Sequence, residues 1–432
     1  MTYQRSATLE PKAQLKADIN KEIIAFANSK GGTIFVGVDG KGQIIGVQNA
    51  AEVISKIRDL AQTTIKPAVN TLTHYSTEVI DGKDIVKIEV GKGPSSPYFL
   101  AQQGLCPAGV FVRKGSASVS APNNIIRRLI KHTDGNVYEQ MRSLDQNLTF
   151  EDTAVEFARH GISFDDRRAR AMGLISEDDI YTNLGLLLSD QCQHTIKVAA
   201  FAGKTKSIFK DRQQFKGPLL TQFRAVFSYL ESLDQTSDKF TGVSPIAGDD
   251  YPPTALREAL LNAIVHRDYS YNSSTLISIF DDRMELVSMG GLAPGINSKD
   301  IMLGISHSRN ERLVKIFSDL GLIEAHGTGM QKIMDAYADC KAKPEVKISG
   351  NAFLFTLPNI NAAAMAVSFT ENEQAVLRLL EHQPAVTRKD VEVLLALSPA
   401  ATGKTIRQLM RKDVLSVEGH GVNTKYVLKP SG

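Results

Sequence analysis

The sequence predicts a mixed α+β protein whose 432 residues form three domains. Three observations support this prediction. Near the N-terminus, an apolar helix pattern is followed by a buried strand and a glycine-rich hairpin. In the centre, a helix with one polar stripe precedes two glycine turns, and at the C-terminus three helix-like segments precede a hairpin. The predicted domains are an α+β domain at residues 1–135, an α/β sandwich at 136–362 and a helical unit with a hairpin at 368–432.

The N-terminal domain is predicted from one helix, one strand and a hairpin. The helix has an apolar side that includes Ile23 and Phe26, and a segment with two glycines at 28–32 ends it. Residues 33–38 are typical of a buried strand, and two further glycines then close a tight hairpin into residues 43–47.

This segment resembles the AlbA_2 or Schlafen-type nucleic-acid-binding domain, on the sequence AFANSKGGTIFVGVDGKGQIIGV and on Leu-Glu-Pro-Lys at residues 9–12. In the nuclease members of that family, two Glu residues and one Asp hold a divalent metal for RNA cleavage. The resemblance places Glu10 and Asp39 at two of these metal positions and Arg5 at the third. A cation beside two carboxylates favours a salt-bridged scaffold, so we expect binding rather than cleavage. The alternative is a ribonuclease that acts in defence against foreign genetic elements.

Nucleic-acid binding by this domain needs only positive charge and backbone donors that contact phosphate. The candidate residues are Arg113, Lys114, Arg127 and Arg128, with Lys131 beside them. An ordinary solvated surface is the alternative interpretation of the same residues.

The central domain is predicted from a helix that is apolar on nearly all sides. Thr254, Glu258, Asn262 and His266 recur every four residues and form its one polar stripe. Such a helix is buried, and a buried carboxylate and amide cost several kcal/mol unless something satisfies them. A ligand is one candidate; the alternative is that these side chains bind the backbone of neighbouring strands. For His266, at the C-terminal end, a favourable interaction with the helix dipole is an equal alternative.

Two glycine turns follow this helix along the chain. The first contains Gly290 and Gly291, and the second is Gly327-Thr328-Gly329, which opens a further helical pattern. Free backbone N–H groups at such turns can bind phosphate, although a glycine pair before a helix is often only a tight turn. Upstream, residues 182–188 predict a helix and residues 195–201 a strand.

The order of these motifs resembles the nucleotide-binding fold shared by gyrase, Hsp90, histidine kinases and MutL (the GHKL type). The closer resemblance is to a RecG-like branch of prokaryotic regulators, on REALLNAIVHRDY, FDDRMELVSMGG and GLIEAHGTGM. It implies ATP and Mg²⁺ as cofactors, Glu258 as the catalytic residue that aligns water, and Asn262 as the Mg²⁺ ligand. His266 and the five turn residues would surround the nucleotide. Ser288-Met289-Gly290-Gly291 lacks the Asp that recognises adenine, so a nucleotide other than ATP is an alternative. Weak ATPase activity is also left open.

The C-terminal segment predicts a winged helix-turn-helix. Helices are expected at 371–380, at 388–395 after the capping residue Thr387, and from Ser398 onward. On the third helix Lys404, Arg407 and Arg411 form a basic stripe opposite Ile406, Leu409 and Met410, as in a recognition helix. Strands at 415–417 and 425–428 would form the wing. Docking or dimerisation is the alternative use of such a domain.

Bulk properties limit the classes of protein without choosing a function. The net charge of +3 is too small to demand nucleic acid, and three scattered cysteines indicate neither a disulfide framework nor a zinc site. No 18-residue apolar run is present, so we expect a cytoplasmic protein without a membrane partner.

The overall prediction is a nucleotide-responsive, DNA-binding transcriptional regulator. Its partners would be double-stranded DNA and, as a second candidate, RNA, with a homodimer left open. A protein-interaction switch without nucleic-acid binding is the remaining alternative.

Overall fold

A computed structural model describes residues 3–16, 18–235, 249–292, 308–324, 328–363, 369–412, 414–419, 421 and 424–429. The chain divides into two compact units, Met1–Cys192 and Gln193–Gly432. Both mix helices with sheets, which confirms the predicted α+β class. Within the described residues, no helix is both long enough and apolar enough to cross a membrane.

The described part of the first unit contains a four-stranded sheet, the strand pairs β3-β6 and β7-β8, and several helices. Its strands are β1 (Leu9–Lys12), β2 (Gly32–Val36), β3 (Ile65–Lys66), β4 (Thr73–Ile80), β5 (Lys83–Val90), β6 (Phe99–Leu100), β7 (Phe111–Lys114) and β8 (Ala117–Ser120). Its helices are α1 (Ile19–Ala27), α2 (Ala50–Thr64), α3 (Asn123–Asp134), α4 (Glu151–Arg159), α5 (Asp166–Met172) and α6 (Asn183–Leu187), with a 3-10 turn at Tyr138–Gln140. The sheet order is β1-β2-β5-β4, with β1 parallel to β2 and the other pairs antiparallel.

The predicted N-terminal helix and strand are both present. Helix α1 buries Ile23, Ile24 and Phe26 completely in the main core of this unit. Strand β2 ends at Val36, two residues before the predicted end, because Gly37 turns the chain with a φ of +99°. Val38 still pairs with Ile44, so the predicted hairpin is formed.

The predicted domain boundary at residue 135 lies inside the first unit. The Arg142 side chain, which is buried, donates hydrogen bonds to Asp134 at the end of α3 and to the carbonyl of Ser95. These contacts attach residues 136–192 to the N-terminal domain rather than to the central one. The predicted helix at 182–188 is α6, and Thr182 caps its N-terminus.

The second unit begins with a six-stranded mixed sheet covered by helices. The strands are β9 (Ile196–Phe201), β10 (Phe209–Phe215), β11 (Thr275–Ile279), β12 (Arg283–Met289), β13 (Glu345–Ile348) and β14 (Ala352–Pro358), in the order β10-β9-β11-β12-β14-β13. The helices are α7 (Leu219–Gln235), α8 (Pro253–Val265), α9 (Glu311–Asp319) and α10 (Gly329–Ala336). Among these six described strands, β9 and β11 pair in parallel and the other neighbouring pairs are antiparallel.

The core of this sheet positions α8. Val198, Ile277, Leu286 and Phe355 are register partners on four adjacent strands and form a continuous buried row. Helix α8 packs on β12 and β14 and is flanked by α7 and α10. The result is the predicted α/β sandwich with α8 at its centre.

The C-terminal part has the predicted order of elements. It consists of α11 (Glu371–His382), β15 (Val386–Thr387), α12 (Arg388–Leu395), α13 (Pro399–Arg411), β16 (Leu415–Glu418) and β17 (Lys425–Leu428), with sheet order β15-β17-β16. Thr370 and Thr387 form capping boxes with Glu373 and Asp390, which fixes where α11 and α12 begin. Ile406 and Leu409 are buried as predicted, whereas Met410 is 38% exposed.

Candidate functional site

The polar stripe of α8 runs from the protein surface into its interior. Pro253 occupies the first turn, where a missing N–H costs nothing, and Thr254 beside it is exposed. One turn further along, Glu258 is buried, and Asn262 and His266 are half-buried. The helix therefore carries its carboxylate and amide inward, as the sequence predicted.

Glu258 has little compensation for its burial. Its side chain is 10% exposed and accepts no hydrogen bond from any residue that the structure describes. The nearest cation is Arg257, whose Nη1 lies 3.8 Å from Oε1. Burial raises the pKa of the Glu258 carboxyl, against the opposing charges of Lys332 and Arg257. A carboxylate perturbed in this way is suited to accept a proton or to orient water.

The second glycine turn lies directly against this carboxylate. A Cβ placed on Gly329 would lie 3.0 Å from Oε2 of Glu258 and 3.5 Å from Nδ2 of Asn262. Gly329 is the first residue of α10 and Thr328 is its N-cap, so the N-terminus of that helix meets the polar stripe. Gly327 lies outside the described residues. The structure thus joins two motifs that are far apart in sequence, and a side chain at position 329 would crowd the Glu258 carboxylate.

The first glycine turn is held against the end of α8. Gly290 has a φ of +112°, which strongly favours glycine. A Cβ placed on Gly290 would lie 3.0 Å from Cβ of Asp268. Arg309 clamps the turn by donating to Asp268 Oδ2 at 2.8 Å and to the carbonyl of Gly291 at 2.6 Å. The Gly290-Gly291 turn and the α8 terminus therefore form one connected structure.

The residues after α8 have structural partners. His266 is the C-cap, and its N–H donates to the carbonyls of Asn262 and Ile264. Arg267 is buried and donates to the carbonyls of Tyr271 and Ser273. Because these contacts close the helix end, we assign Arg267 a structural role.

In the N-terminal domain, Glu10 is surrounded by positive charge. Its carboxylate lies 2.5 Å from Arg5, 3.1 Å from Arg113 and 3.7 Å from Lys12. The last two cations also contact Glu22, at 3.3 and 3.0 Å. Glu10 is thus part of a salt-bridged scaffold whose second carboxylate is Glu22, which the sequence did not single out, rather than Asp39.

Asp39 takes no part in this scaffold. Its exposed carboxylate accepts hydrogen bonds from the backbone N–H groups of Gln43 and Lys41, both at 2.8 Å, and these bonds lower its pKa. Among the described residues, no three His, Cys, Asp or Glu side chains gather as a metal site would require. The metal role of Glu10 and Asp39 stays a prediction from the family resemblance.

The structure contradicts the prediction that Arg113 contacts nucleic acid. Its side chain is 3% exposed and lies between Glu10, Glu22 and the ring of Phe26. It is thus excluded from the nucleic-acid surface. Lys114, Arg127 and Arg128 are exposed and form no ion pair with a described residue, and Lys131 continues this basic side of α3.

The predicted recognition helix presents its basic stripe to solvent. Lys404, Arg407 and Arg411 of α13 are exposed, and none forms an ion pair within the part of the chain that the structure describes. The end of the helix is fixed instead by Lys412, which binds the fully buried Glu373 of α11 at 2.7 Å. Three free cations on a helix that is anchored at its base can contact phosphate or base edges.

Comparison with known proteins assigns two parts of the chain to families. Residues 5–122 match the family described as "Schlafen, AlbA_2". Residues 273–357 match the family described as "Putative ATP-dependent DNA helicase recG C-terminal". The chain therefore carries an AlbA_2 domain of Schlafen type and an ATPase-type domain related to the C-terminal part of RecG, as the sequence motifs predicted. The second match includes both glycine turns but not α8.

Other comparisons add little. No curated protein matches the chain. A solved structure, the DIP2311 protein from Corynebacterium diphtheriae, is 18% identical, with 99% of this chain and 90% of that chain covered and a TM-score of 0.45. A similarity of this size does not establish a common fold over the whole chain.

Proposed function

We propose that this chain, which joins an AlbA_2 domain to a RecG-type ATPase domain, is a DNA-binding regulator that responds to a bound nucleotide. The central α/β sandwich would bind a Mg²⁺-nucleotide, and the C-terminal helices and hairpin would act as a winged helix that reads DNA. The observation that carries the proposal is the junction of Gly329 with Glu258 and Asn262 at the N-terminus of α10.

The residues at this junction fit a Mg²⁺-nucleotide. Glu258 is buried without a hydrogen bond among the described residues, which is costly unless a ligand or its water completes the site. Gly329 leaves open the space that a side chain would fill, and the N–H groups of the first turn of α10 are suited to phosphate. Asn262 would supply an oxygen to Mg²⁺ and Glu258 would orient water. The metal, when bound, would neutralise phosphate charge.

Base specificity is a separate question. The turn after β12 reads Ser288-Met289-Gly290-Gly291, without the Asp that recognises adenine in the wider fold. ATP and GTP are therefore both candidates, and the test below uses each.

The proposal for DNA rests on charge and exposure. The basic stripe of α13 is open to solvent, and the exposed basic side of α3 offers a second phosphate-binding surface, for DNA or for RNA. Ribonuclease activity has no comparable support. Glu10, the buried carboxylate of the expected metal set, is surrounded by Arg5, Lys12 and Arg113.

Nucleotide binding is tested by thermal stabilisation. We expect Mg·ATP or Mg·GTP to raise the melting temperature of the wild-type protein, since a ligand that binds only the folded state stabilises it. Asn262→Ala should remove the Mg²⁺-dependent part of this shift, whereas Asn147→Ala, at an exposed position of the first unit, should keep it. Equal stabilisation of the wild-type protein and Asn262→Ala would contradict the assignment of Asn262, and no stabilisation of either would contradict a nucleotide site.

A further inference from the structure

Lys332 lies one turn into α10, on the side of the helix that carries Gly329. Residues three apart on a helix are neighbours on its surface, and a long side chain points back toward the helix N-terminus. The Lys332 ammonium is therefore directed toward the first turn of α10, where Gly329 meets Glu258. The same geometry explains why Lys332 is the strongest of the positive charges that oppose the raised pKa of Glu258.

Lys332 is held by an anion that precedes the glycine turn. Its Nζ lies 2.6 Å from Oε2 of Glu324, which follows α9 along the chain. Glu324 is 69% exposed, whereas Lys332 is 29% exposed. An ion pair with one end in water is weak, typically worth no more than about 1 kcal/mol, and a better anion can replace the carboxylate.

Arg257, the other cation near Glu258, is less available to bind a phosphate. Its Nη2 donates to the carbonyl of Leu322 at 2.7 Å, which fixes the guanidinium against the backbone. Lys332 has rotatable donors on a flexible stem, which suits phosphate binding as a point charge.

We propose that Lys332 binds the terminal phosphate of the nucleotide in this site, and that Glu324 holds its ammonium when nucleotide is absent. The inference rests on the nucleotide site proposed above and adds a residue and a regulatory contact to it. Glu324 then acts as an internal competitor of phosphate. Removing each end of this ion pair should change nucleotide affinity in opposite directions.

The experiment measures the dissociation constants of Mg·ATP and Mg·ADP, and of the matching guanine nucleotides, by calorimetry on the full chain. Lys332→Ala should weaken triphosphate binding about 10-fold, which corresponds to the lower end of the free energies found for a hydrogen bond to a charged group. It should also reduce the preference for triphosphate over diphosphate. Glu324→Gln should tighten triphosphate binding by up to about fivefold. Lys332→Arg should restore most of the affinity that Lys332→Ala loses.

A second ion pair provides the matched control. Lys315 and Asp319 on α9 lie 3.0 Å apart and are both exposed, so Lys315→Ala and Asp319→Asn should leave affinity unchanged. If Lys332→Ala and Glu324→Gln weaken binding equally, or if neither changes it, the ion pair is structural and the inference fails while the nucleotide site stands. If the wild-type protein binds none of the four nucleotides, both proposals fail together. Should Lys332→Ala not fold, the direction of the Glu324→Gln effect decides alone.

Discussion

At the scale of residues, the two units handle buried charge in different ways. In the N-terminal domain, Glu10 and Glu22 are neutralised by Arg113 and Lys12 and make a closed network. In the central domain, Glu258 is buried with Arg257 3.8 Å away and accepts no hydrogen bond from a residue that the structure describes. A satisfied network indicates a scaffold, whereas an unsatisfied carboxylate beside a glycine turn indicates a place for a ligand.

Arg113 offers a direct test of the scaffold. Arg113→Ala would leave two buried carboxylates with fewer partners, and breaking a buried ion pair typically costs about 3 to 5 kcal/mol. We expect a loss of this order in the free energy of unfolding, measured by urea denaturation. Lys114→Ala, at the exposed neighbouring position, should stay within about 0.5 kcal/mol of the wild-type protein. A neutral Arg113→Ala would show that the network contributes nothing to stability.

His194 makes the stability of the second unit depend on pH. Burial, together with the charge of Arg267, lowers the pKa of His194 from 6.5 to about 4. The unfolded chain therefore takes up a proton below pH 6.5 while the folded protein does not. Stability from this group is fully present above pH 6.5 and is lost as the pH falls toward 4, by up to about 3 kcal/mol.

The measurement compares unfolding free energies at pH 7.5 and 4.5. We expect His194→Gln to lose less stability between these values than the wild-type protein, because the variant has no imidazole to protonate in the unfolded state. His382→Gln, at an exposed position of the same unit, serves as the control. Identical pH dependence in wild-type protein and His194→Gln would refute the lowered pKa.

At the scale of elements, local sequence patterns predicted most of the structure. The polar stripe of α8, the cap Thr387 and the hairpin at β16 and β17 each depend on residues close together in sequence. Burial of Arg113 and attachment of residues 136–192 depend on partners far away in sequence, Glu22 and the carbonyl of Ser95, which no local pattern reveals. The meeting of Gly329 with Glu258 is also long-range, and only the resemblance to a known fold made it predictable.

Helix α13 carries the prediction about DNA. A side chain bidentate to guanine is worth about 1 to 3 kcal/mol of base discrimination, whereas a phosphate contact gives none. Arg407 lies in the middle of the stripe, so Arg407→Ala should relax sequence preference. Lys404→Ala should weaken all duplexes similarly and reduce the salt slope by about one unit.

Binding to a selected site and a scrambled site across a salt series separates these effects. Lys347→Ala, on the exposed edge strand β13, should match the wild-type protein. If the triple variant with alanine at 404, 407 and 411 binds duplex DNA as tightly as the wild-type protein, the C-terminal domain docks a protein or forms a dimer instead.

At the scale of the whole molecule, regulation requires that the nucleotide site and the DNA-binding surface be coupled. Both the α8–α10 junction and α13 belong to the second unit, Gln193–Gly432. A nucleotide that binds two states of this unit unequally must change DNA affinity by the same factor by which DNA changes nucleotide affinity. Typical coupling free energies correspond to about 5- to 150-fold.

The most direct measurement is therefore the affinity for one duplex with and without a saturating, slowly hydrolysed nucleotide analogue and Mg²⁺. We expect the dissociation constant of the wild-type protein to change at least about fivefold. That of Asn262→Ala should change less, because this variant has lost the Mg²⁺-dependent part of nucleotide binding. An unchanged DNA affinity in a wild-type protein that demonstrably holds the nucleotide would contradict the regulator, and would leave two independent binding functions on one chain.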